Sequence, residues 1–591
     1  MTLRRLLRRP KYRYMAVNRI VPHVPWLVLF AMAAFFYKAR IFAESGFYVA
    51  QFINTQNFWI ESQRIVSVIP QIIPLIGVWT GLEIKYILLL WSLSHVLFFY
   101  ILFLFVYYGL RDRRSGLLII LSQTVGIMYS FFSPMFELYY GVPLLITFYA
   151  IWKLPFRFRT IYVLLILEAL ILLSHPMSFA LFVFLLLYDY TKKTAKPFKF
   201  YFPVILVVLG VAVFKYFVMG QYEAGKLAWL MNYANSKSFL ELIDPANFKS
   251  LGLFMLRYYT EVLAAFVLVV FTLAKNKQWL RLVMVASSFL AYAFLANAAS
   301  PFSPSYYTEH LMFPFVPIVF IPLVYGFPKT DRPGLLNISI LLVSALIVYR
   351  LSVIYYGSEI FVKRVAQMEQ LIQSSRLKTG NKFVVSKQSV DHGYTQLTKS
   401  FPVETLLLSA IDGNDISVTI AQEKDLNFEN TNSRIRWDQF IFRRGELKQQ
   451  SWLNKRYFHL DIGPYLTLND STPNTNINYT ANNLRITIDS KNIYPATDTV
   501  WIPVTILNRG KTPIYSGIKN KVFLSYFWVV NNDVLNWNEI RTPLQADIKG
   551  TMRQHIKVAV PRSKGRMQLK ADIIADDNWL GIYSQEDVLV Y

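Results

Sequence analysis

Residues 38–64 read KARIFAESGFYVAQFINTQNFWIESQR, the first polar segment after the apolar run HVPWLVLFAMAAFFY. This stretch decides the fold, because it separates a first membrane span from all that follows and sets a carboxylate, Glu44, beside the bilayer. Working outward, apolar runs of spanning length recur up to about residue 355, and a polar tail follows. A crossing helix needs roughly 20 mostly apolar residues. That rule predicts eleven spans at 18–37, 86–109, 116–132, 138–154, 160–174, 176–190, 200–219, 252–274, 279–297, 310–327 and 335–355. The run IVSVIPQIIPLIGVWTGL (65–82), broken by two prolines and two glycines, reads as interfacial or re-entrant.

Charge sets the orientation. The chain has 591 residues and a formal net charge of +25, and within its first 355 residues the bases gather between apolar spans. With eleven spans, the loops on the N-terminal side (1–22, 111–114, 153–159, 192–199, 275–281 and 329–332) hold 22 Lys and Arg, and the opposite loops about seven. Such an asymmetry places the N-terminus in the cytoplasm. Segments 38–85, 220–251 and 298–309 then face outward, as does everything past Tyr355, which is the periplasm in a double-membrane bacterium. Bases placed this way speak for orientation rather than nucleic-acid binding. The basic start MTLRRLLRRPKYRYMAVNR lacks a small-residue cleavage site after its apolar run, so it reads as a retained first span of a cytoplasmic-membrane protein.

The tail divides in two. FVKRVAQMEQLIQSSRL (361–377) has apolar residues at helical spacing, KFVVS predicts a strand, and NDSTPNTNINYTANN (469–483) predicts a linker. From residue 484, six alternating runs (LRITIDS, VWIPVTILNRG, KVFLSYFWVV, HIKVAVP, MQLKADIIAD and DVLVY) predict a small β-sandwich. The expected fold is therefore a polytopic α-helical membrane domain over 1–358, a mixed extracytoplasmic α/β region and linker over 359–483, and a β-sandwich over 484–591.

The chain has no cysteine, which excludes disulfides, thiolate catalysis and Cys-ligated metal. Its seven histidines form no HxH or HxxxH pair, and no Gly-rich loop follows a strand, so neither a metal site nor a nucleotide-sugar domain is expected.

This layout resembles the GT-C superfamily of membrane glycosyltransferases. The matching features are the basic N-terminus, the first-loop acid in FAESGFY, eleven spans, SHP (174–176) at an outer helix turn, SYYTEH (305–310) before a late span, and an outward C-terminal domain. The tail is similar to a recurring β-sandwich of bacterial glycan-handling proteins, on VTILNRG (504–510), FLSYFWV (523–529), IRTPL (540–544), VAVPRSKGRMQLKADII (558–574) and DNWLG (577–581). The first resemblance implies inverting transfer of a sugar from a polyprenyl-phosphate donor to a glycan, lipid or protein acceptor on the outer face. Members that depend on a metal carry paired acids in the first loop. Here Ser45 and Gly46 follow Glu44, which points to metal-independent chemistry while leaving a divalent metal open.

Inverting transfer needs a carboxylate to take a proton from the acceptor hydroxyl and cations where the phosphate leaves. Glu44 is the expected base, against the plainer reading of a solvated loop acid. Glu137, in SPMFELYYG, and Glu309 with His310, behind Tyr306 and Tyr307, are candidate sugar-binding groups, although Glu137 is also favoured at a helix start by the dipole alone. His175 is a further candidate, with a hydrogen-bonded turn residue as the alternative. Arg64, Lys226 and Arg257 are phosphate candidates, and Arg257 stands four residues before Glu261, where a helical ion pair would form. Glu168 and Lys215 are charges within spans, which are costly and face a cavity or partner, as in a transporter. The competing reading is a non-enzymatic membrane subunit, a scaffold or transporter component whose β-sandwich docks envelope-complex partners.

Overall fold

The computed structural model describes the chain apart from residues 1–20, 229–244, 300–308, 327–332, 386–399, 423–437, 469–483, 510–522 and 580–583 and short stretches of one to three residues elsewhere. The chain forms two compact units, one within residues 1–362 and one chiefly of residues 363–591.

The first unit is helical. In chain order it holds α1 (Val24–Phe35), α2 (Glu44–Thr55), α3 (Ile72–Thr80), α4 (Ile84–Leu104), α5 (Arg113–Ser122), α6 (Glu137–Trp152), α7 (Phe158–Ser174), α8 (Met177–Tyr190), α9 (Tyr201–Val218), α10 (Pro245–Tyr258), α11 (Thr260–Lys275), α12 (Trp279–Ala299), α13 (Phe315–Gly326) and α14 (Pro333–Gly357). Among the described residues, four helices are long and apolar enough to cross a bilayer: Ile84–Gly109, Phe198–Val218, Trp279–Asn297 and Ser339–Arg376. A fifth crossing arises if the bent pair α10 and α11 counts as one. The chain is thus membrane-embedded.

Burial sorts the helices. Every residue of α6 is buried, and α13 is buried from Phe315 to Pro322, so these two form the interior of the unit. By contrast α9 exposes Leu206, Leu209, Val213 and Phe217, and α14 exposes Leu341, Leu342 and Val348. Apolar side chains facing outward in rows are unstable in water and stable in lipid.

Two stretches depart from the sequence expectation, and a third is the run read as interfacial or re-entrant. The run expected to span at 116–132 leaves helix at Ser122 and re-forms only as a 3₁₀ turn, Tyr129–Phe131. The run expected at 252–274 bends by 97° between Tyr258 and Thr260. Segment 65–82 forms a 3₁₀ turn, Ile65–Gln71, running into α3, and together they fall short of a crossing. Gly81 ends α3 at φ 74°, letting Leu82 N–H reach Gly77 O at 2.9 Å, the hydrogen bond that closes a helix with a left-handed residue.

The second unit begins within α15 (Glu359–Arg376). β1 (Lys382–Val385) lies between β2 (Thr419–Gln422) and β5 (Leu466–Thr467), parallel to both, and α16 (Phe401–Ser409) makes the crossover from β1 to β2. β3 (Gln439–Arg443) and β4 (Glu446–Gln449) form a hairpin. Arg364 grips Glu404 of α16 through two bonds, Nε to Oε2 at 2.9 Å and Nη2 to Oε1 at 3.0 Å.

All six expected runs of the tail are strands: β6 (Leu484–Ile488), β8 (Thr499–Asn508), β9 (Phe523–Val530), β12 (Thr551–Ala559), β13 (Gly565–Ala575) and β15 (Ser584–Val590). Short pieces β7 (Ile493–Tyr494), β10 (Asp533–Asn536), β11 (Thr542–Pro543) and β14 (Asn578–Trp579) complete two sheets. One runs β12-β8-β6 and the other β10-β9-β13-β15-β7. Ile486, Val504 and Ile556 from the first close a shared core with Tyr526, Trp528, Leu569 and Val588 from the second. Trp528 Nε1 donates to Ala559 O at 2.9 Å, and Ala559 N–H to the Tyr526 hydroxyl at 2.6 Å, which fixes one sheet on the other.

Candidate functional site

Glu44 is the first residue of α2 and is half-buried. The residue before it, Ala43, has φ 54° and ψ −123° and is fully buried. That backbone suits glycine, and an alanine there is strained by roughly 1–3 kcal/mol. Strain of this kind persists only where its surroundings over-determine it. Here Arg40, 1% exposed, donates Nη1 to Phe131 O at 2.5 Å and Nη2 to Ser92 O at 3.3 Å. Its own carbonyl receives the Ser45 hydroxyl at 2.6 Å, and Ser45 Oγ in turn receives Trp91 Nε1 at 2.9 Å. Ser133 Oγ binds Phe42 O at 3.2 Å. The turn that presents Glu44 is therefore pinned on both sides. Burial lowers the Arg40 pKa to about 10, well above neutrality, so it stays a cation in this wall.

One turn along α2, on the Glu44 face, stands Tyr48. Its hydroxyl donates to Glu137 Oε1 at 3.2 Å, while Arg64 Nη1 meets Glu137 Oε2 at 2.8 Å. Burial, then the charges of Glu137 and Glu61, push the Tyr48 phenol well above its usual pKa, so it is a donor at neutral pH. Arg64 follows two non-glycine residues in left-handed backbone, Ser62 (φ 52°) and Gln63 (φ 56°). Lys215 of α9, 7% exposed, donates to Ser62 O at 3.2 Å and so reaches the same loop. The structure thus joins Arg64 and Glu137 directly, with Glu44 on the helix that carries their third partner.

The other candidates divide. His175 sits in the turn between α7 and α8, where Nδ1 accepts Met177 N–H at 3.1 Å, a local turn bond. That turn packs near Glu137: a Cβ on Gly141, one turn along α6, would stand 2.8 Å from Ser174 Oγ. Glu309 is fully buried and accepts Ser130 N–H at 2.6 Å, Ser130 Oγ at 3.0 Å and the Tyr259 hydroxyl. So bound, it reads as the anchor of the bend at Tyr259, yet Ser130 adjoins Phe131, whose carbonyl holds Arg40, so one turn links Glu309 to the Glu44 loop. His310 is buried, with its ring 5.9 Å from Phe313. Arg257 is exposed, 5.2 Å from the Tyr258 ring. The bend removes the helical register that would have paired it with Glu261, and Glu261 meets Arg350 at 2.9 Å instead. Lys226, Tyr306 and Tyr307 lie outside the described residues.

Sequence reasoning missed Arg40 and Tyr48. Tyr48 was findable from its i+4 spacing to Glu44. Arg40 had no local signal, since its acceptors come from residues 92 and 131. Lys215, read from sequence as a costly charge within a span, is explained by its bond to the loop. Among the described residues no three His, Asp or Glu side chains gather as a metal-binding group.

No known family model matches the chain, and no curated protein matches it significantly. Among solved structures, the solution structure of the CARDB domain of PF1109 from Pyrococcus furiosus aligns at 13% identity over 18% of this chain and 94% of that domain, with a TM-score of 0.13.

Proposed function

We propose that the chain is an inverting, GT-C-type membrane glycosyltransferase that moves a sugar from a polyprenyl-phosphate donor to a glycan, lipid or protein acceptor. In this reading it crosses the cytoplasmic membrane eleven times, with the N-terminus inside and the α2 side and C-terminal unit outside. The observation that carries the proposal is the constellation at α2. A carboxylate, Glu44, opens a rigidly held helix whose same face meets an ion pair, Arg64 with Glu137, beside a second buried cation, Lys215.

Each part has a chemical task. Glu44 takes the proton from the acceptor hydroxyl as it attacks the anomeric carbon. Arg64 and Lys215 offset the charge gathering on the departing phosphate, for which a planar guanidinium is well shaped. Glu137, which accepts from both Tyr48 and Arg64, holds the guanidinium in place. A membrane-facing site suits a donor whose lipid tail stays in the bilayer, and the β-sandwich takes no part in the chemistry. The test is transfer from a panel of polyprenyl-phosphate sugars by purified protein in lipid. Activity that survives Glu44→Gln removes the proposal.

A further inference from the structure

We propose that a second, basic recess of the helical unit, walled by Tyr149, Tyr325 and Trp152, binds a phosphate ester or inorganic phosphate. It is built from the short segments that follow or open five helices: Arg114 in α5, Lys153 after α6, Lys192 and Lys196 after α8, and Arg281 in α12, with Tyr325 from α13. None of these residues belongs to the α2 constellation.

The cations crowd. Lys153 Nζ lies 3.8 Å from the Tyr325 ring centroid and 5.1 Å from that of Tyr149. Lys192 Nζ lies 4.5 Å from the Tyr149 centroid and 5.9 Å from that of Tyr325, and the Arg114 guanidinium is also 5.9 Å from Tyr325. Lys196 sits over Trp152 at 5.1 Å. Three cations therefore surround one tyrosine, in a recess where the Lys192 side chain is 17% exposed.

Among the described residues two carboxylates serve this set, and both are shared out. Asp112 accepts Lys153 Nζ at 2.5 Å, the Tyr325 hydroxyl at 3.0 Å and Ser115 N–H at 3.2 Å. Asp189 accepts Lys192 Nζ at 3.1 Å, Trp152 Nε1 at 2.7 Å and the Tyr201 hydroxyl at 2.8 Å. Among the described residues these basic groups outnumber the two carboxylates in a partly desolvated place, which is costly without a counter-anion whenever they are protonated. Burial and the nearby Arg281 charge press the Lys192 pKa down to about 7, as expected of a cation set among cations. A phosphate answers this arrangement: it carries one to two negative charges and several acceptor oxygens, and basic pockets between membrane helices take lipid headgroups.

The test uses full-length protein in detergent, titrated with short-chain phosphatidylglycerol, short-chain phosphatidylcholine and inorganic phosphate, and read by thermal melting and native mass spectrometry. The expected result is a raised Tm and a retained adduct with phosphatidylglycerol and not with phosphatidylcholine. A response to inorganic phosphate of equal size supports the site and assigns it to the free ion. The double variant Lys192→Gln with Arg281→Gln should weaken binding by roughly a hundredfold, two charge-assisted contacts being lost. Lys192→Arg with Arg281→Lys, which keeps the charge and guards against misfolding, should retain it. No response of the wild type to either anion, or undiminished binding by the glutamine variant, overturns the inference. Glycosyl transfer is not part of this readout, so the two proposals fail separately.

Discussion

Arg64 and Glu137, 73 residues apart in sequence, meet at 2.8 Å with side chains 16% and 6% exposed. Removing one partner of so enclosed a pair strands the other charge, at a cost of about 3–5 kcal/mol. Arg64→Met should therefore lower stability markedly, and Arg64→Met with Glu137→Gln should recover much of it. Thermal melting of the four proteins of this cycle checks the prediction. Additive losses would mean that the two residues are not coupled.

Glu44→Gln keeps size and hydrogen bonding but cannot accept a proton. If Glu44 is the base, transfer should fall by about 10²–10⁴-fold with little change in Tm. The rate of sugar transfer, measured beside a melting curve, separates lost chemistry from lost fold. A fall in Tm that matches the loss of rate would argue for a structural acid instead.

Ala43 pays for its backbone with strain, so glycine should fit better. Ala43→Gly should raise stability by about 1 kcal/mol, and Ala43→Val should lower it by more. Should glycine stabilise the protein and slow transfer together, the strain serves to aim Glu44. Stabilisation with full activity would make it incidental.

What could be read from the sequence followed from local periodicity. The burial of β6 alternates strictly along LRITI, and β8 and β12 alternate over most of their length, so the sandwich strands stand out one by one. The two-residue strands β7, β11 and β14 exist only through their partners and carry no such signal. Likewise the 97° bend at Tyr259 has no proline or glycine to announce it, and its hydroxyl is held by Glu309, 50 residues on. At the candidate site, residue types on α2 and in its loop were legible, whereas the wall that stiffens them was not. Arg40, Ser92 and Phe131 come together only in three dimensions.

In the second unit, Arg364 and Glu404 form a bidentate pair that is almost fully enclosed, and the Ser400 hydroxyl donates to Glu404 Oε1 at 2.5 Å. Arg364→Ala should destabilise the unit by about 3–5 kcal/mol, since the carboxylate would stay buried without its cation. Arg364→Lys should recover only part, because an ammonium cannot span both oxygens. Limited proteolysis of full-length protein, watching cleavage in 363–591, would show it. Equal resistance in wild type and Arg364→Ala would mean that the pair contributes nothing.

Lys382, at the start of β1, is 1% exposed, and its Nζ donates to Gln439 O at 3.0 Å. Burial holds its pKa down at about 7, against weaker opposing pulls from Asp438 and Asp461. The sign of the pH effect follows from where the proton sits. Above the ordinary lysine value of about 10.4 the amine is neutral in both states, and the folded protein bears no penalty. As pH falls through that value the unfolded chain takes up a proton that the folded protein still refuses, and stability declines until about pH 7, below which both are charged. Between those limits wild-type stability should rise with pH relative to Lys382→Met, which has no proton to bind. Melting both full-length proteins at pH 7 and pH 9.5 gives the difference directly, with other titrating groups cancelling between them. A Tm difference that is the same at both pH values would place a charged ammonium at Lys382 throughout.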